Sequence, residues 1–321
     1  MQVLKFGALA LAISLSAEAA AETAYVSNEQ DNTISVIDGK SLAVTATIEV
    51  GRRPRGLALN RDGTKLYVAV GDDNRIDVVD LETRRVQGSI ASGSDPEFFA
   101  VHPDGKRLFV ANEDDNRISV IDISKSKITD EIEVGVEPEG VAVSPDGRMA
   151  AATSETTSMI HMIDAQSLEL IDNVLVDTRP RMVQFSPDNK QVWVSSELRG
   201  TVSVFDAATR EPIATIRFEI PGLPREMVQA VGMQLTPDGS RAYIALGPAN
   251  RVAEVDARTY KVLRLYLVGQ RVWHLGLSPD GRRLYTANGN SNDASVIDLA
   301  QQTVLKSIGV GRSPWGIVVA P

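Results

Sequence analysis

Aspartates recur through this chain at a regular spacing. Asp38, Asp80, Asp122, Asp164, Asp206, Asp256 and Asp298 each close an apolar run, at steps of 42, 42, 42, 42, 50 and 42 residues. A second series, Asp62, Asp104, Asp146, Asp188, Asp238 and Asp280, lies in Pro-Asp-Gly-like turns at steps of 42, 42, 42, 50 and 42. Two independent landmarks share one period, and both place an insertion of eight residues (50 − 42) between Asp206 and Asp238. Such a period means one supersecondary unit per copy, each unit too thin to bury its own faces alone.

Within one copy, residues 56–59, 66–70, 75–79 and 85–90 are short apolar or alternating runs. They are separated by Arg61-Asp62-Gly63, a loop at 71–74, and Asp80. Four β-rich runs with this punctuation predict an antiparallel meander. No stretch after residue 21 carries a helical period. The expected fold is all-β: a seven-bladed β-propeller over 22–321, with four-stranded antiparallel blades. The first copy lacks an inner strand, while the last run, 316–321, resembles the inner strands at 56–59 and 140–143. The C-terminal strand is therefore expected to complete the blade of residues 25–50 and close the ring without an open sheet edge.

Residues 1–21 differ from the repeats. Lys5 precedes an apolar run at 6–15, then small residues with cleavage positions between Ala19 and Ala21. This pattern predicts a secretory signal peptide. The run is shorter than the roughly 20 residues that span a bilayer, so no membrane insertion is expected after cleavage. The formal net charge of -9 argues against nucleic acid as a partner. The chain has no cysteine, which removes disulfides, thiolate chemistry and zinc–cysteine sites. His102, His161 and His274 fall at unrelated repeat positions, so no metal site and no cofactor are expected.

The second strands begin Tyr25-Val26-Ser27-Asn28, Phe109-Val110-Ala111-Asn112, Trp193-Val194-Ser195-Ser196 and Tyr285-Thr286-Ala287-Asn288. This motif resembles the YVTN family of β-propeller repeats, and the whole chain is similar to the propeller proteins associated with PQQ-dependent alcohol catabolism. The resemblance implies a periplasmic protein, and protein partners in a quinoprotein dehydrogenase or ABC transport system.

Function should sit where the repeats differ. Propeller connections from an outermost strand to the next innermost strand surround one mouth of the channel. Aligned on the turn aspartates, one ring reads Arg55, Glu97, Glu139, Arg181, Val231, Trp273, Trp315. Two residues earlier it reads Arg53, Asp95, Glu137, Arg179, Gln229, Arg271, Ser313. The candidate ligand- or partner-binding residues are Arg53, Arg55, Glu97, Glu139, Arg179, Arg181, Arg271, Trp273, His274 and Trp315. One side of this mouth is expected to be charged and the other aromatic, a surface suited to a small amphipathic ligand. The competing structural reading is a ring in which Arg and Glu satisfy each other and plug the channel. The insertion, around 218–232, is either a lid or partner contact over the mouth or a tolerated surface loop.

No nucleophile–base set, metal cluster or nucleotide loop is visible. The expectation is thus a non-catalytic periplasmic binding or scaffold protein. Two alternatives stand beside it: a propeller enzyme of lactonase or lyase type, and a docking subunit for a quinoprotein dehydrogenase.

Overall fold

A computed structural model describes residues 22–321, and the signal-peptide expectation at 1–21 lies outside them. The strands form seven four-stranded antiparallel sheets. Blade 1 combines 23–49 with 314–320; blades 2 to 7 span 54–91, 96–133, 138–175, 180–217, 233–267 and 272–309. Among the described residues the helical turns are two single 3-10 segments, Gly71–Asp73 and Arg225–Met227.

The aspartates act as the spacing predicts. Asp62 accepts the Thr64 amide at 3.1 Å, and the following Gly63 takes φ +69°. Asp206 accepts the amides of Ala208 and Thr209 at 2.9 and 2.8 Å. These short local bonds turn the backbone at the face opposite the mouth.

Alternation then assigns each strand its role. Second strands such as Lys65–Val70 are buried on both faces, because each blade is covered by its neighbours. Tyr25, Val36 and Ile48 of blade 1 pack on Leu66, Val68 and Val79 of blade 2. Each such side chain contributes about 1.5–3 kcal/mol when fully buried. Outer strands form the rim and are largely exposed, with Leu175 and Leu267 at 70% and 61%.

Closure matches the sequence expectation. Pro314–Ala320 pairs with Thr23–Asn28, Tyr25 opposite Val318. The Gly316 amide donates to Ser27 Oγ at 2.8 Å, and Ser27 Oγ donates to the Arg55 carbonyl of blade 2 at 2.7 Å. One hydroxyl thus ties the last strand, the first strand and the next blade.

Candidate active site at the channel mouth

The mouth is built on a repeated strained backbone. Arg53, Asp95, Glu137, Arg179, Arg271 and Ser313 all have φ between 52° and 60°, a region that costs a non-glycine residue about 1–2 kcal/mol. Asparagines offset part of that cost. Asn32, Asn74, Asn116, Asn250 and Asn292 lie in hairpins between second and third strands, themselves at positive φ. Their side-chain oxygens accept the amides of Arg53, Asp95, Glu137, Arg271 and Ser313 at 2.9–3.1 Å. These five hairpins are therefore clamps between a blade and the next connection.

Two residues further along each connection stand Arg55, Glu97, Glu139, Arg181, Trp273 and Trp315. A third ring, not anticipated from the sequence, follows the second strands: Glu29, Gly71, Glu113, Glu155, Glu197, Gly247 and Gly289. Its members keep the same 42- and 50-residue steps, so the signal was present in the column after the YVTN-like motif. Where that ring has glycine, its neighbours need the space. A Cβ at Gly71 would lie 2.5 Å from Asp95 Oδ1, and one at Gly289 2.5 Å from Trp273 Nε1.

The charged side chains sort into two clusters. In the first, Arg53 pairs with Asp95 and with Glu97, the latter at 2.5 Å, while Arg55 pairs with Glu97 and, at 3.0 Å, with Glu29. In the second, Arg181 pairs with Glu155 and, at 2.9 Å, with Glu139. Arg179 meets Glu155 at 2.8 Å, and Arg271 meets Glu197 at 2.7 Å. Arg271 also donates to Gln229 of the insertion at 2.6 Å. The mutually satisfied Arg–Glu ring is thus largely realised. Burial alone would depress Arg55 and Arg181, but Glu97 and Glu139 respectively outweigh it and hold both cations firmly charged. Burial raises the carboxyl of Glu139 well above its usual range against the pull of Arg181, and raises Glu155 likewise.

Glu113 differs from these acids. It lies between the clusters and neighbours Glu97 rather than its own arginine. Burial first, then the Glu97 charge and a hydrogen bond with Glu97, push its pKa up to about 8. It is half-buried, and Arg53, Arg179, Arg271 and Trp273 are likewise accessible from solvent.

The expected separation into charged and aromatic sides does not occur. Arg271 and Arg181 lie over the Trp273 ring at 4.1 and 5.6 Å, and Arg55 lies over Trp315 at 5.3 Å. Cations desolvated by burial gain from the ring quadrupole, so charge and aromatic surface interleave. Trp315 itself is fully buried. Beneath the mouth the next inner-strand residues alternate around the ring: Gly56, Phe98, Gly140, Met182, Gly232, His274, Gly316. The large members meet across the axis. Phe98 stacks on His274 at 5.5 Å, and Trp315 meets the His274 ring at 4.1 Å with the planes tilted by 43°. This plug closes the channel below the mouth. His274 Nε2 and Trp315 Nε1 are buried there without a hydrogen-bond partner among the described residues. Burial, with Arg181 and Arg55 nearby, pushes the His274 pKa down to about 3, so its imidazole is neutral.

The other histidines stay apart, as the spacing predicts. His161 forms a Ser154–His161–Asn173 chain at 2.9 and 2.5 Å that resembles a nucleophilic triad. Ser154 is fully buried, however, and Nε2 also accepts the Gly135 amide at 2.9 Å, so the chain is a structural clamp. His102 bonds the Gly147 carbonyl at 2.9 Å near the opposite face. Asp95, Glu97 and Glu113 place carboxylate oxygens within 4.8 Å of one another, a spacing compatible with a cation. Two of the three already carry arginine partners.

Fold and mouth together define a seven-bladed propeller with a charged, plugged channel. The chain belongs to the family described as "Domain of unknown function (DUF5074)", whose model matches residues 12–186. A second family model, "Lactonase, 7-bladed beta-propeller", matches residues 173–308. No curated protein matches the chain. Among solved structures, a Bacteroides fragilis protein described as "a putative 6-phosphogluconolactonase" is 20% identical with a TM-score of 0.79, over 95% of this chain and 99% of that one. A Bacteroides uniformis protein with the same description is 19% identical with a TM-score of 0.78, over 93% and 99%. A chain of Kuenenia stuttgartiensis hydrazine synthase is 24% identical with a TM-score of 0.79, over 87% and 92%.

The expectation of a non-enzyme is corrected by the lactonase family model, which matches residues 173–308; the solved structures add the shared fold. The physical flaw in that expectation is identifiable. Lack of a nucleophile–base set and of a metal cluster argues only against those two routes. Acid–base catalysis by a carboxyl of shifted pKa needs neither.

Proposed function

We propose that the protein is a hydrolase of lactonase type that opens anionic lactones at the channel mouth. The observation that carries this reading is Glu113, an accessible carboxyl with a pKa near 8 flanked by arginine clusters. A general acid or base works best with a pKa near the operating pH. The lactonase model also covers Arg179, Arg181, Glu197, Arg271, Trp273 and His274, the second half of the mouth.

Water adds to the lactone carbonyl, the ring C–O bond breaks, and a hydroxy acid leaves. Ionised Glu113 takes the proton of the attacking water and returns it to the departing ring oxygen. The accessible guanidiniums of Arg53, Arg179 and Arg271 hold the substrate's anionic group and stabilise the oxyanion. Trp273, already flanked by two arginines, offers an apolar face to the ring. The unpaired ring nitrogens in the plug support a binding role for the floor, since leaving a buried polar group unpaired costs about 1–3 kcal/mol. We place this activity in the periplasm, on the signal-like residues 1–21 and the YVTN-type resemblance. The same resemblance supports a dehydrogenase or transport system as partner, with an oxidation step supplying the lactone.

The test is acid release by the purified protein from five- and six-membered lactones bearing a carboxylate or phosphate, followed by pH-stat. The expected result is turnover that falls about 100-fold or more in Glu113→Gln with the thermal melt retained. Release no faster than buffer from every substrate, or full activity in Glu113→Gln, contradicts the proposal.

A further inference from the structure

The insertion builds a second concavity beside the mouth. In five blades an asparagine from the hairpin clamps the next connection, as described above. In blade 5 that position is Gly200, at φ +63°. A Cβ there would strike the Val228 carbonyl of the insertion. The hairpin is thus stripped of its side chain so that the longer connection can lie over it. Phe218 and Val228 anchor the insertion, 6% and 4% exposed. Between it and the hairpin lies a cavity of about 740 Å³, within the usual size of small-molecule sites, about 300–1,000 Å³.

Its lining combines apolar and cationic side chains. Phe218, Ile220, Leu223 and Val228 make an apolar wall, and Arg199, Arg217 and Arg225 line the same space with one acid, Glu219. Among the described residues, neither Arg217 nor Arg225 has a carboxylate within ion-pair distance, and Arg199 Nε lies 3.9 Å from Asp177. At the mouth, by contrast, all five arginines are paired. Cations left unpaired beside apolar surface, in a protein of net charge -9, suit a ligand that supplies both a negative head and an apolar body.

We infer that this cavity binds a small amphipathic organic anion, an alkyl or aryl carboxylate, with its head on Arg217 and Arg225 and its tail on Ile220 and Leu223. The inference is independent of lactone hydrolysis at Glu113.

The probe is octanoate, titrated calorimetrically into the full-length protein. Expected is saturable binding with Kd below about 1 mM, and binding at least about tenfold weaker for acetate, which lacks the tail, and for octan-1-ol, which lacks the charge. Arg217→Gln/Arg225→Gln is expected to weaken octanoate at least about tenfold. Arg217→Gln alone gives a smaller loss and serves if the double variant melts early. Glu113→Gln should leave octanoate binding within about twofold, which separates failure of this site from failure at the mouth. The inference is overturned by absence of saturable octanoate binding, by equal binding of octan-1-ol, or by arginine variants that bind as the parent does. Co-sedimentation with phosphatidylglycerol vesicles in place of octanoate binding also overturns it.

Discussion

Glu113 and Glu97 bring carboxyl oxygens within 4.8 Å of each other in blade 3, and burial together with the Glu97 charge pushes the Glu113 pKa up to about 8. The stability consequence has a definite sign. The folded pKa of Glu113, about 8, lies above its ordinary value of 4.5. The protonated form therefore favours the fold; this contribution is complete below pH 4.5 and is lost as pH rises through about 8. Glu113→Gln, which cannot ionise, should stabilise the protein at pH 9 relative to pH 5. After allowance for solvent screening the gain is on the order of 1–2 kcal/mol. Thermal melts of both proteins at the two pH values measure it, and an equal Tm difference at both would remove the coupling.

Ring closure rests on one strand. Deleting residues 314–321 removes the partner of Thr23–Asn28 and exposes an unpaired edge. The expected outcome is loss of the single cooperative transition and a shift toward aggregates in size-exclusion chromatography. Gly316→Val is a milder probe, because a Cβ there meets the Arg55 carbonyl. It should cost about 2–4 kcal/mol in urea titration.

Each asparagine clamp contributes separately. Asn116→Ala removes the acceptor for the Glu137 amide, 3.1 Å away, and places alanine at φ +56°. The two losses should sum to about 1–3 kcal/mol. Asn116→Gly, which tolerates the backbone, should recover about half. A glycine variant no more stable than the alanine variant would assign the whole effect to the hydrogen bond.

His274 should not titrate near neutrality. With its pKa pushed down to about 3, its ring carbon NMR shifts are expected to stay constant from pH 5 to 9. His274→Phe keeps the ring contacts with Phe98 and Trp315 and should leave the pH dependence of lactone opening unmoved. An inflection near pH 6.5 in the His274 signal would show that the plug is wetter than its packing implies.

The architecture was largely legible because it is periodic. Asp38 to Asp298 fixed the blade count, and Tyr25 and Trp315 marked the closing strands. The same step carried Arg55, Glu97, Glu139 and Arg181 to one mouth. What escaped was set by environment rather than spacing. Glu113 occupies a column that was not read, and its raised pKa depends on burial beside Glu97, which no sequence pattern records. Trp273 looked like an exposed aromatic wall, yet desolvated arginines settle on its ring. The Gly-large alternation from Gly56 to Gly316 was readable at the same period, but the contact of Phe98 with His274 spans the axis between non-adjacent blades. Gly200 carried a clue of its own: an asparagine missing where the connection grows longer.

Acid–base work by Glu113 is tested by the pH dependence of kcat/KM for lactone opening. A base with pKa about 8 predicts a rate that rises about tenfold per pH unit below pH 8 and levels above it, with this rise abolished in Glu113→Gln. A flat profile between pH 6 and 9, or an identical rise in Glu113→Gln, would contradict it.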